Sequence, residues 1–181
     1  MSKLQEKFKT TIVPKLQKDL GRKNVLETPK ILKVTVNTGL SSKRDPKFIE
    51  TMVDTLTKIT GQKPVVTKAR LSVAGFKIRE GQALGVMATL RGNRMWDFLD
   101  KLVNVTFPRI RDFRGIPLTA VDKDGNFNFG FKEHIAFPEI QADVIDSLHG
   151  LQVNITTTAV NREEGMALFK ELGFPFKKEE K

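Results

Sequence analysis

Apolar residues recur at every fourth position near the start of the chain, at Leu4, Phe8, Ile12, Leu16 and Leu20, with Lys3, Lys7, Lys15 and Lys18 off that stripe. The spacing predicts an amphipathic helix over 3–20. Pro14 bends or interrupts it because proline lacks the N–H a helix interior needs, and Gly21 suits its end. Residues 31–38 change period: Leu32, Val34 and Val36 share one face and Lys33, Thr35 and Asn37 the other, the pattern of a half-buried strand. Helical spacing returns over 45–60, where Phe48, Met52, Leu56 and Ile59 form the stripe, Asp45 and Pro46 suit the start and Gly61 the stop. Residues 40–46 between them form a basic loop.

A strand is expected over 64–71 and another over 83–91, the latter with Leu84, Val86, Ala88 and Leu90 on one side and Gly85, Met87, Thr89 and Arg91 on the other. Asn93 can cap a helix over 94–104 that buries Met95, Trp96, Leu99 and Leu102. The pattern then breaks over 105–150. An arginine-rich stretch with Pro108, Gly115 and Pro117 precedes a hairpin turning at Asp124-Gly125, whose Phe127, Phe129 and Phe131 alternate onto one face. A short helix is expected near 141–148. The clearest strand is 150–160, with Leu151, Val153 and Ile155 inward and Gln152, Asn154, Thr156 and Thr158 outward. Asn161 and Glu164 have capping-box spacing before a last helix that runs to about Leu172.

Without the first helix and the 105–150 stretch, the order is strand, helix, strand, strand, helix, strand. That is the split βαβ pattern of ferredoxin-like and RNA-recognition folds. The expected class is α+β: an antiparallel-rich sheet with helices on one face, an added N-terminal helix and a 105–150 insertion. One domain over 1–181 is expected, its core in 31–104 and 150–160.

Charge adds a direction. The 181 residues carry a net charge of +10, unevenly spread: 1–80 hold 18 Lys+Arg against 7 Asp+Glu, and 81–181 hold 13 against 14. The positive field belongs to the first half, which should face a polyanion. The chain has no cysteine, which excludes disulfides and thiolate metal sites. No apolar run reaches the ~20 residues of a membrane span, so a cytoplasmic location is expected. The two histidines, His134 and His149, lack metal-ligand spacing, and there is no tyrosine, P-loop, G-x-S-x-G or G-x-G-x-x-G. The carboxylates Asp122/Asp124, Asp143/Asp146 and Glu163/Glu164 sit where turns and helix starts use them. No enzyme, cofactor or metal is expected.

The polar strand faces are the candidate chemistry. Lys33, Thr35 and Asn37, Thr89 and Arg91, and Asn154, Thr156 and Thr158 offer amides, hydroxyls and cations suited to phosphate and 2′-hydroxyl contacts. A solvated sheet face would look the same, and the basic first half favours RNA. The strands lack the paired stacking aromatics of an RNA-recognition motif. The Phe127/Phe129/Phe131 stripe is read as core, with a stacking platform as the other option. In the loop 72–82, Phe76 stands beside Lys77 and Arg79 between Gly75 and Gly81. In 108–115, Arg109, Arg111 and Arg114 surround Asp112, either as bidentate contacts for a partner or as a locally paired turn.

The strings VTVNTGL (34–40), TGQKP (60–64), AGFKIREG (74–81), TLRGNRMWDFLDKL (89–102), PRIRDFRG (108–115), FPEI (137–140), ITTTA (155–159) and GFPF (173–176) resemble, in order and over nearly the whole chain, the bacterial form of large-subunit ribosomal protein L five. The resemblance implies a 5S rRNA-binding protein of the central protuberance. It implies 5S rRNA contacts at Asn37, Gln62, Thr89 and Arg91, with Lys33 added. It implies a loop, Ser72–Gln82, that reaches the P-site tRNA through Ser72, Phe76, Lys77 and Arg79. It also implies a bridge to a small-subunit head protein at Arg109, Arg111, Asp112, Phe113 and Arg114. Implied partners further include 23S rRNA and the other 5S-associated large-subunit proteins, with no membrane and no self-association.

Overall fold

The computed structural model describes residues 2–40, 46–140 and 148–177. The expected basic loop 40–46 with its Asp45 cap, and most of the short helix near 141–148, lie outside the described residues.

Five strands, β1 (Ile31–Gly39), β2 (Val65–Lys68), β3 (Ala83–Leu90), β4 (Phe127–Phe131) and β5 (Leu151–Thr157), form one sheet in the order β2-β3-β1-β5-β4. β2 and β3 pair antiparallel, with Val65 opposite Met87 and Val66 opposite Val86. The order β2-β3-β1-β5 is the split βαβ arrangement read from the element sequence, and the α+β class holds. The hairpin strand β4 extends the sheet beyond β5.

The chain divides into two compact units. One holds Met1–Val34, Arg91–Phe129 and Asn154–Lys181; the other holds Thr35–Leu90 and Gly130–Val153.

In the first unit the N-terminal helix is α1 (Lys3–Lys7), a π-helical turn (Phe8–Ile12) and α2 (Val13–Asp19). Leu4, Phe8, Ile12 and Leu16 are all buried. Pro14 was expected to bend or interrupt the helix, and the wide turn shows how. A proline ring collides with the carbonyl four residues back. The chain avoids this by widening, so that the Val13 N–H donates to Phe8 O, five residues earlier. A spacing of four residues also overshoots the 3.6-residue α turn, and one wider turn keeps the stripe on one face. The same device recurs where α4 (Gly92–Lys101) continues into a π-helical turn at Leu102–Thr106 and α5 (Phe107–Arg109). There the Phe107 N–H donates to Leu102 O immediately before Pro108. The helix expected to end near 104 therefore runs to Arg109. At its other end the expected Asn93 cap is corrected: Asn93 lies inside the helix, and Arg91 is the N-cap, without a side-chain cap bond.

The phenylalanine stripe is core. Phe127 packs 5.0 Å from Phe174 and 5.2 Å from Phe169, and Phe129 lies 5.5 Å from Phe107. Burying each such ring contributes on the order of 1.5–3 kcal/mol. The Asp124-Gly125 turn is organised by Asp122, whose Oδ1 accepts the N–H groups of Asp124 and Asn126. Thr157 docks this turn by donating its hydroxyl to Gly125 O. Gly125 also lies against Gly165 of α6 (Arg162–Glu171), where a Cβ on Gly165 would stand 2.5 Å from Gly125 Cα and 2.5 Å from its O. Backbone cannot yield as a side-chain tip can. Gly165→Ala should therefore lower stability by about 1–2 kcal/mol, checked by denaturant unfolding.

The capping box expected at α6 does not form, because Glu164 bonds one residue before the cap. Asn161 makes no side-chain cap bond, but Glu164 is buried and accepts the Val160 N–H and the Arg22 guanidinium. Burial works against charge on Glu164, yet the bonds from Arg22 and Val160 prevail and hold its carboxyl below the usual carboxylate range. The resulting stabilisation is present above the unfolded-state value of about 4.3 and is lost as pH falls through the lower folded-state value. At pH 7, Glu164→Gln should cost on the order of 1–2 kcal/mol. The melting-temperature gap to the parent chain should narrow as pH falls below the unfolded-state value of about 4.3. A gap independent of pH would contradict this account.

In the second unit, α3 (Pro46–Thr60) buries Met52 and Leu56 against Val86 of β3. Val36, Ala88, Leu90 and Val153 are also buried, so the alternation of β1, β3 and β5 is observed. Leu32 departs from it. Ile31 takes the inner place where β1 begins, and Leu32 is 45% exposed.

Candidate nucleic-acid interface

The outward positions of β1, β2 and β3 in the Thr35–Leu90 unit meet around Gly85. A Cβ built there would lie 2.8 Å from Thr38 O, 3.0 Å from Thr67 Oγ1 and 3.7 Å from Asn37 Oδ1. A side chain at 85 would displace one of these groups, so glycine lets the neighbouring strands' polar groups approach across it. Thr35, Asn37, Thr67 and Thr89 are half-buried. Among the described residues, their side-chain amide and hydroxyls have no intramolecular hydrogen-bond partner. These are groups a ligand can use without first breaking protein bonds.

Gln62 follows α3, and its Nε2 donates to Thr89 O at 3.2 Å. Its own carbonyl accepts the Thr60 hydroxyl, which also bonds Leu56 O at the helix end. The TGQ sequence is thus a helix stop that aims a glutamine at the end of β3. The structure brings Gln62 and Thr89 together and places Asn37 at Gly85. Lys33 and Arg91 belong to the other unit, half-buried and exposed respectively. Arg91 lies just past β3 rather than on its face. Thr67 was missed in the sequence, because the four-residue strand β2 is too short to show its own alternation. Thr158 is not a free group of the polar face: its hydroxyl accepts the Lys30 N–H, and its own N–H donates to Lys30 O.

The loop 72–82 is internally bonded. Val73 and Ile78 exchange both backbone hydrogen bonds, Gly81 N–H donates to Ala69 O, and Ala69 N–H to Gln82 O. The Ser72 hydroxyl accepts the Glu80 N–H, so Ser72 helps to hold the loop's shape. A 3-10 turn, Ala74–Phe76, ends at Lys77 with φ +54°, and the Phe76 ring is 73% exposed. Lys77 and Arg79 are exposed beside it. An apolar ring held outward beside two cations is costly to leave in water and suited to a nucleic-acid surface.

Residues 109–115 form a braced turn. Phe113 stacks on Phe107 at 5.7 Å, and Asp112 takes φ +51°. Ile116 N–H donates to Pro175 O, and Lys177 N–H to Ile116 O, so the two motif strings 108–115 and 173–176 are tied at their ends. Arg109, Arg111, Asp112 and Arg114 are exposed, and among the described residues none forms an ion pair. Local Arg–Asp pairing is not what holds this turn.

No group of three metal-ligating side chains occurs among the described residues. Nor is any helix there long and apolar enough to cross a membrane.

The comparisons with known proteins decide the family. Residues 24–79 match the family described as ribosomal protein L5, and residues 83–176 match the model of that ribosomal family's C-terminus. The chain belongs to the ribosomal protein L5 family. Among its relatives, the large ribosomal subunit protein uL5 of Cupriavidus taiwanensis is 54% identical over 177 residues, 97% of this chain and 98% of that protein. The uL5 of Bordetella petrii is 54% identical over 178 residues, covering 98% and 99%. That of Microcystis aeruginosa is 51% identical over 176 residues, covering 97% and 98%. As a member of the L5 family the chain is a structural component of the large ribosomal subunit in the cytoplasm, and not an enzyme.

Proposed function

We propose that the protein anchors 5S rRNA in the central protuberance through the polar face around Gly85. Asn37, Gln62 and Thr89 make the contacts, and Lys33 and Arg91 supply charge. The observation that carries this reading is the set of unpartnered groups at Asn37, Thr35, Thr67 and Thr89, none of them a carboxylate. Such groups suit ribose hydroxyls and phosphate oxygens, which position RNA without reading base edges. The loop 72–82 contacts the P-site tRNA, with Phe76, Lys77 and Arg79 at its tip and Ser72 holding it. The turn carrying Arg109, Arg111, Asp112, Phe113 and Arg114 bridges to a small-subunit head protein. The 23S rRNA and the other 5S-associated proteins are the remaining neighbours, and the chain works as a single copy.

The test is equilibrium binding of the purified chain to 5S rRNA and to an unrelated structured RNA of equal length across a salt series. Affinity for 5S rRNA should fall linearly in log–log form with salt and remain at least about 100-fold above the unrelated RNA. Equal affinity for both would favour a general RNA-binding module instead.

A further inference from the structure

We propose that a groove in the first unit, between α6 and the segment Phe174–Lys177, receives an acidic, apolar peptide segment of another protein. The groove is open and measures about 1010 Å³. Its apolar part is made by Leu118, Met166, Ala167 and Phe176, all half-buried. Its charged rim is Arg162, Lys170 and Lys177 against the single carboxylate of Glu163.

Helix α6 explains why such a surface exists. Its inward side is Glu164, Gly165, Leu168 and Phe169, all buried. Glu163, Met166, Ala167 and Lys170 fall at i, i+3, i+4 and i+7, which is a second face of the same helix. A helix whose outer face served only solvation would be polar there. This one places a methionine, the most adaptable of apolar contact residues, between two cations. One of the cations is already fixed: the Arg162 guanidinium donates to Leu118 O at 2.8 Å, which holds its charge at the groove's edge.

The choice of partner follows from what the walls lack. No hydroxyl or amide side chain lines the groove. The face around Gly85 is the reverse, rich in hydroxyls and amides. A nucleic acid finds cations in the groove and the half-buried ring of Phe176, but no hydroxyl or amide side chain to meet its sugar edges. A peptide with aliphatic residues on one side and carboxylates on the other fills the apolar floor and meets three cations with its acids. The inference does not depend on the 5S rRNA assignment.

The test is a titration of the full, nitrogen-15-labelled chain with three probes: a synthetic peptide of leucine, alanine and glutamate, its counterpart with lysine for glutamate, and a single-stranded uridine oligonucleotide. The acidic peptide should give saturable amide shifts at Met166, Ala167 and Lys170. Met166→Glu and Lys170→Glu should each weaken it at least about tenfold, roughly 1.4 kcal/mol or more. Unchanged resonances for 3–19 and 92–109, helices of the same unit that do not line the groove, show that both variants stay folded. The proposal is overturned if the acidic peptide gives no saturable shifts, or if the lysine peptide binds equally well. It is also overturned if the same amides respond to the oligonucleotide, or to raising the chain's own concentration, which would assign the groove to RNA or to a second copy.

Discussion

Replacing Asn37 and Thr89 together by alanine should reduce 5S rRNA affinity on the order of 100-fold at low salt, with little change in melting temperature. The two halves of this expectation have one cause. Neither side chain has a hydrogen-bond partner within the protein among the described residues, so the free protein loses no bond when they are truncated. In the complex each truncation leaves an RNA donor or acceptor buried without its partner, at about 1–3 kcal/mol apiece. The loss should persist at low salt, because it removes hydrogen bonds and not charge. Lys33→Ala, by contrast, should act mainly through the salt slope. Binding by the double variant at parental affinity would place the RNA elsewhere.

Deleting Gly75–Gly81 should leave 5S rRNA affinity within about twofold while impairing tRNA placement or translocation by about tenfold or more, a loss of roughly 1.4 kcal/mol. The hydrogen bonds that brace the loop close within 69–82: Val73 with Ile78, Gly81 with Ala69, Ser72 with Glu80, Ala69 with Gln82. Removing its tip therefore costs β2 and β3 none of their pairing from Val65–Met87 to Lys68–Ala83. What disappears is the exposed Phe76 ring with Lys77 and Arg79. Loss of 5S rRNA binding on this deletion would mean that loop and sheet face act as one surface.

The succession of elements, the class and most of the core could be read from periodicity, because burial alone decides which side of a strand or helix is apolar. Phe127, Phe129 and Phe131 were legible as core for that reason. Local exceptions were not. Whether Pro14 and Pro108 break a helix or are absorbed by a π-helical turn depends on whether the flanking helix is held by packing, as Phe8 is against Trp96 at 4.9 Å. Asn93 has good capping chemistry, but α4 begins at Gly92, where φ is +59°, with Arg91 as its N-cap, two residues too early for it. The Arg22–Glu164 pair joins residues 142 apart and leaves no signal in spacing.

The candidate interface was legible in part. Asn37 and Thr89 fell on polar faces by alternation. Gln62 came only from resemblance to the L5 family, since nothing in its own neighbourhood distinguishes it from a solvated turn residue. Thr67 was hidden by the shortness of β2, and the role of Gly85 is visible only once Thr38, Thr67 and Asn37 are placed around it.

The central claim is that the face around Gly85 carries 5S rRNA. A photoreactive side chain at Thr35, on the same strand face as Asn37, tests it directly in intact large subunits. The claim predicts that irradiation joins the protein to 5S rRNA, and that a matched probe at Asp54 on the outer side of α3 does not. Crosslinks from position 35 only to 23S rRNA or to protein, with 5S rRNA absent, would contradict it.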